Sequence, residues 1–159
     1  MAEHGTIRIP DEEYKQRVQR AAKILQREGL DALIVNSNEA DYANARYFSG
    51  FWPLFERCGV AISPAGDAAL MVGPESREFG ADRCKLDKVC VLKAYREGAD
   101  PAYPELQADT YQDVFNALGI KGKKLRIGVA SYLDTSGIIM EAIRDEFPEA
   151  EIVRADHIM

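Results

Sequence analysis

Arg57 stands in a run of apolar residues, "YFSGFWPLFERCGVAI" (residues 47–62), close behind five aromatic side chains within nine residues: Tyr47, Phe48, Phe51, Trp52 and Phe55. One short segment of a small domain cannot bury five aromatics on one side. Two of them are expected in the core, and the surplus has the composition of an interface anchor or substrate pocket. The planar fork of Arg57 suits a carboxylate, bound through two parallel hydrogen bonds. An aromatic neighbour such as Phe55 or Trp52 could hold that fork flat. The plainer role is an ion pair with Glu56 or another local acid, and the sequence leaves both open.

Other chemistry is thinly represented. The two histidines, His4 and His157, lie in the terminal segments, and no HExxH or paired-cysteine motif occurs, so no metal site and no catalytic residue is expected in this chain. The glycines of "GIKGKKLRIG" precede a strand, whereas a phosphate loop needs them after one. "GVASYLDTSGIIME" does run from strand to helix, and amides near Thr135–Gly137 could hold an anion, although a capped helix is the simpler reading. Cys58 follows a cation that would lower a thiol pKa, but no histidine is near in sequence, and a buried small hydrophobe fits better.

The totals bound the class. The chain has 159 residues, 47% apolar and 29% charged, enough for one domain with a real core. A net charge of −6 is the wrong sign for a nucleic-acid binder, and the basic "KGKKLR" (121–126) reads as a solvated loop. Cys58, Cys84 and Cys90 are odd in number and lack redox spacing. With no apolar leader and no run of membrane-spanning length, a cytoplasmic protein without membrane contact is expected.

The elements that must position these residues follow from periodicity. "IPDEEYKQRVQRAAKILQREG" predicts a helix with Tyr14, Val18, Ala21 and Leu25 on one face, closed by Gly29. "DALIV" (31–35) predicts a buried central strand carrying Leu33 and Val35, followed by a polar loop, "NSNEADYANAR", with room for one helical turn. Val60–Ser63 and Ala68–Val72 flank "PAGD" as a hairpin. A helix over 74–85, a strand over 88–95 and a loop over 96–109 come next. Thr110 caps a helix ending at Gly119; strands over 125–130 and 151–156 then enclose a helix over 134–148. The fold class is α/β: a three-layer domain with a mixed sheet of about five to six strands and helices on both faces. Residues 1–13 are expected to be a flexible segment ahead of a domain over 14–159.

Their order carries a resemblance. A helix ending in "EGLDALIV", a polar loop, "NARYFSGF" and a hairpin with "PAGDAALMV" together resemble the N-terminal domain of the creatinase, prolidase and aminopeptidase P metallohydrolases, with Asn44, Tyr47, Gly50 and Phe51 at the family's pattern positions. The resemblance runs from about Tyr14 to Met159.

The resemblance implies a division of labour. In such enzymes the chemistry resides in a C-terminal pita-bread domain holding a dinuclear divalent metal (Mn, Co or Zn), or no metal in creatinase itself. The chain stops near where those enzymes begin the connection into that half, so a non-catalytic domain of a longer hydrolase is expected. The resemblance further implies a homodimer in which this domain borders the partner subunit's active site and meets a peptide or small carboxylate substrate. The Phe-x-Arg form of "LFER" would place Phe55 and Arg57, with Trp52 beside them, at that entrance. Pro53, Leu54 and Glu56 depart from creatinase, which argues against creatine as the substrate, while Phe55 and Arg57 tilt the parent slightly away from a plain prolidase. An Xaa-Pro peptidase parent is expected, with a creatinase-like amidinohydrolase as the alternative. A free-standing peptide-binding module is the reading of a different class.

Overall fold

The computed structural model describes residues 8–97 and 106–159. Helix α1 (Asp11–Glu28) carries Asp11, Glu12 and Glu13 in its first turn, where the helix dipole favours negative charge. Its buried stripe is Tyr14, Val18, Ala21, Ala22 and Leu25. Strand β1 (Ala32–Ser37) is buried at every position. Helix α2 (Ala43–Ser49) leads to the hairpin of β2 (Cys58–Ile62) and β3 (Ala68–Val72). A 3₁₀ turn (Pro74–Ser76), α3 (Arg77–Arg83) and β4 (Lys88–Val91) follow. The chain closes with α4 (Tyr111–Ala117), β5 (Arg126–Ala130), α5 (Gly137–Glu146) and β6 (Glu151–Arg154).

The six strands form one mixed sheet in the order β4-β3-β2-β1-β5-β6, with β2 antiparallel to both its neighbours and the other pairings parallel. Alternate side chains divide the core between two faces. Leu33, Val35, Val60, Ile62 and Leu70 pack with Val18 and Leu25 of α1 and Phe48 of α2. Ile34, Ala61, Met71 and Ile127 pack with Val114 and Phe115 of α4 and Ile139 and Ile143 of α5. The expected three layers are present, with α1, α2 and α3 on one face and α4 and α5 on the other.

Several boundaries differ from the sequence expectation, each for a tertiary reason. β1 continues through Asn36 and Ser37 because antiparallel pairing with Gly59 and Cys58 takes up their backbone. The segment after it is helical through the first half of the aromatic stretch. β4 stops at Val91, and a 3₁₀ turn over Lys93–Tyr95 carries the Tyr95 ring into the core. α5 starts at Gly137, because residues 131–134 form a turn closed by the Asp134 N–H on the Ser131 carbonyl at 3.0 Å. Asp11–Glu13 are already helical, while the rest of the expected 1–13 segment up to Ile7 lies outside the described residues, as do 98–105 of the expected 96–109 loop.

Two stability measurements check this packing. Leu33 is fully buried between its two strand partners, so Leu33→Ala is expected to cost about 2–5 kcal/mol in urea unfolding. Gly59 has no room for a side chain, since a Cβ there would lie 2.5 Å from the Tyr95 hydroxyl. Gly59→Ala is therefore expected to cost about 1–3 kcal/mol, as overpacking does, and to cost less in a Tyr95→Phe background.

Candidate functional site

The aromatic segment is held by the polar end of β1. The Ser37 hydroxyl accepts the Ala45 N–H at 3.1 Å in the first turn of α2, which lacks a side-chain cap from its own N-cap residue. Asn44 donates to the Ser131 hydroxyl at 2.7 Å, and Thr135 donates to the Ser131 carbonyl at 2.9 Å. Ser131 holds a positive φ of 56°, a left-handed conformation that a non-glycine residue keeps only when its surroundings secure it. Asn36 completes the set. Its amide donates to the Thr135 hydroxyl at 2.9 Å, and its carbonyl accepts from the Tyr95 hydroxyl at 2.7 Å. The Tyr111 hydroxyl donates in turn to that of Tyr95 at 3.1 Å. Burial raises both phenol pKa values above their ordinary range, so both remain protonated donors.

The family-pattern residues separate into distinct roles around α2. Tyr47 stays partly exposed and locks α2 to α1. The Arg17 guanidinium lies 4.4 Å over its ring, donates to the Tyr47 carbonyl at 2.8 Å and also pairs with Glu13 at 3.0 Å. Gly50 ends α2 at φ 71°, and a Cβ there would meet the Lys85 side chain at 2.8 Å, so backbone and packing both demand glycine. Phe51 is fully buried edge-on against Phe79. Phe48 and Phe51 are thus the two core aromatics of the five, with Tyr47 and Phe55 exposed and Trp52 half-buried.

Between Trp52 and β2, the chain alternates sharply in exposure. Leu54 is 53% exposed and Phe55 69%, whereas Glu56 is only 4% exposed. One Glu56 oxygen accepts the Phe55 N–H at 3.1 Å and the other accepts the Ser76 hydroxyl. This buried carboxylate ties the loop to the turn that precedes α3. Arg57 is half-buried, and among the described residues no acid, backbone carbonyl or ring pairs with it. The pairing of Arg57 with Glu56 that the sequence left open is absent, because Glu56 is turned inward and occupied.

One expectation is corrected. Neither Trp52 nor Phe55 holds Arg57 flat. The guanidinium over the Trp52 ring is that of Arg46, at 4.7 Å, since the left-handed turn at Gly50 folds Trp52 back against α2. Asn44, Tyr47, Gly50 and Phe51 are brought together on α2 and its end, while Phe55 and Arg57 share a loop that Trp52 joins only through the chain. Sequence reasoning passed over Glu56 as an anchor, although a lone acid inside an apolar run was a signal for it. Arg46, Asn36 and Ser37 carried no comparable signal.

Candidate nucleophiles and metal ligands contribute little. Burial pushes the Cys58 thiol pKa far up, and those of Cys84 and Cys90 to about 11, so these thiols are protonated at neutral pH. Among the described residues, no group of three or more His, Cys, Asp or Glu side chains could hold a metal ion, and the dinuclear metal implied by the resemblance finds no ligand set here. No helix of the described residues is long and apolar enough to cross a membrane.

Comparison with known proteins gives the family. The chain is similar to the N-terminal domain of the cytoplasmic peptidase PepQ from Mycobacterium tuberculosis H37Rv, at 20% identity and TM-score 0.61, over 90% of this chain and 95% of that one. It is similar to the dipeptidase PepE from Mycobacterium ulcerans, at 17% identity and TM-score 0.63, over 96% of this chain and 37% of that one. The prolidase from Pyrococcus horikoshii OT3 gives 18% identity and TM-score 0.59, over 90% of this chain and 33% of that one. The chain thus spans about a third of the length of those longer peptidases. A search of curated protein sequences found no match. The sequence model of the creatinase/prolidase N-terminal domain matches residues 17–159, and the chain belongs to that family.

Proposed function

We propose that this chain is the non-catalytic N-terminal domain of a creatinase/prolidase-type hydrolase, an Xaa-Pro peptidase by preference, and that its 52–57 loop borders the active site of a partner subunit in a homodimer. In this reading a C-terminal domain of the same protein carries the dinuclear metal centre and the chemistry, and the protein works in the cytoplasm. Family membership and the longer peptidases that the chain matches in part support the domain assignment.

One observation carries the loop's role: a buried, doubly bonded Glu56 lies between an exposed Phe55 and a half-buried Arg57 that has no partner among the described residues. A loop with no external partner would gain from burying Phe55, since a large apolar side chain left in water forgoes about 1.5–3 kcal/mol. Among the described residues none of the five N–H donors of Arg57 is committed, the state required to take a carboxylate through two parallel bonds. Anchoring at Glu56 fixes the loop before ligand arrives and so lowers the ordering cost of binding. Trp52 borders this loop on its N-terminal side and lies edge-on to Phe79.

The test is Arg57→Ala. In the 159-residue chain it is expected to change stability by no more than about 0.5 kcal/mol, because no internal bond is lost. In the longer hydrolase that the reading requires, it is expected to raise KM for an Xaa-Pro dipeptide with little change in kcat, with poor rescue by Arg57→Lys. A large loss of stability, or a fall in kcat at unchanged KM, would contradict the assignment.

A further inference from the structure

A second arginine, on α2 and not on the 52–57 loop, is arranged for recognition against Trp52, the first residue of that loop. Arg46 projects from α2 with its guanidinium over the Trp52 ring at 4.7 Å and over the Tyr42 ring at 5.7 Å. Stacking on aromatic rings fixes the plane of the fork without using any of its N–H groups. Those groups are free, since among the described residues the Arg46 side chain makes no hydrogen bond and no ion pair. An isolated surface arginine would be a mobile, hydrated charge, whereas this one rests against two rings with no donor committed among the described residues.

The surroundings complete a site. A groove of about 340 Å³ opens beside Arg46 between α1 and α2, walled by Ile9, Tyr14, Tyr47 and Trp52 with Arg17 at its side. That volume lies at the small end of ligand sites and admits one compact molecule. The local charge is positive within an acidic chain. Arg17 and Arg20 share the single carboxylate of Glu13, at 3.0 Å each, and Lys85 is balanced by Asp11 at 3.1 Å. Asp41, at the start of α2, turns its carboxylate to the Ala43 N–H at 3.3 Å. Arg46 stands at an aromatic wall with no ion pair among the described residues.

We propose that this groove binds a carboxylate carrying a compact apolar body, with the Arg46 fork taking the carboxylate and the walls from Ile9, Tyr47 and Trp52 taking the body. The apolar lining excludes a bare inorganic anion as the best occupant, because such an ion gains nothing from covering those rings. The uncommitted fork excludes a neutral amide, which offers one oxygen where a carboxylate offers two.

Trp52 is the chain's single tryptophan and lines this groove, so its fluorescence reports binding there, and the Arg46 variants separate that signal from binding at Arg57. The 159-residue chain is titrated at constant ionic strength with N-acetyl-phenylalanine, with its carboxamide analogue and with sodium phosphate, and calorimetry repeats the first titration. The expected result is saturation by the acid at about millimolar concentration, with the amide and phosphate each at least about tenfold weaker. Arg46→Gln is expected to weaken the acid about tenfold, and Arg46→Lys to restore only part of that loss. Because Arg46 is exposed, far-UV circular dichroism of both variants is expected to match the parent chain. The proposal is overturned if the acid does not saturate, if the amide or phosphate binds as well, or if Arg46→Gln binds the acid unchanged.

Discussion

The carboxyl end of β1 is polar and buried, and the loops around that edge of the sheet depend on it. Asn36 and Ser37 lie in the sheet's interior with almost no exposure. An amide side chain left unpaired there would cost about 1–3 kcal/mol, so its partners are held as firmly as it is. Through those two residues the first turn of α2, the turn over 131–135 and the turn that delivers Tyr95 are fixed to one strand. Each loop is thereby referenced to a strand buried at every position, which is how a surface built from loops acquires a defined geometry.

The same logic extends outward from α2. Asn44 couples the helix to Ser131, Tyr47 couples it to α1 through Arg17, and Gly50 reverses the chain so that Phe51 enters the core while Trp52 returns to the surface. Glu56 then repeats in the next loop what Asn36 does in the sheet: a polar group is buried so that its neighbours can be displayed. The surface so produced carries two arginines whose donors have no partner among the described residues, Arg57 near an exposed phenylalanine and Arg46 against a tryptophan.

Much of this was legible in the sequence where periodicity decides the outcome. α1 follows from its apolar spacing and from Gly29, and the three layers follow from the alternation of strands and helices. The polar network was not legible, because its bonds join residues far apart in the chain. Asn36 meets Tyr95 across 59 positions and Thr135 across 99. Without those partners, "NS" after "DALIV" reads as the start of a loop. Phe55 and Arg57 stood out by composition and by the Phe-x-Arg form of the family resemblance; in the fold Phe55 is exposed and Arg57 half-buried. The aromatic partner of Arg57 was misassigned, because the return of Trp52 onto Arg46 is a consequence of the Gly50 turn and not of sequence proximity.

The dependence on the end of β1 is tested most directly by hydrogen–deuterium exchange on the double variant Asn36→Ala/Ser37→Ala. If these two residues fix the surrounding loops, protection is expected to fall at the amides of Ala45, Tyr95 and Asp134, well beyond any change at Leu25, Val60 and Ile127 in the core. A uniform loss across all these amides, or no loss at the three loop positions, would contradict it.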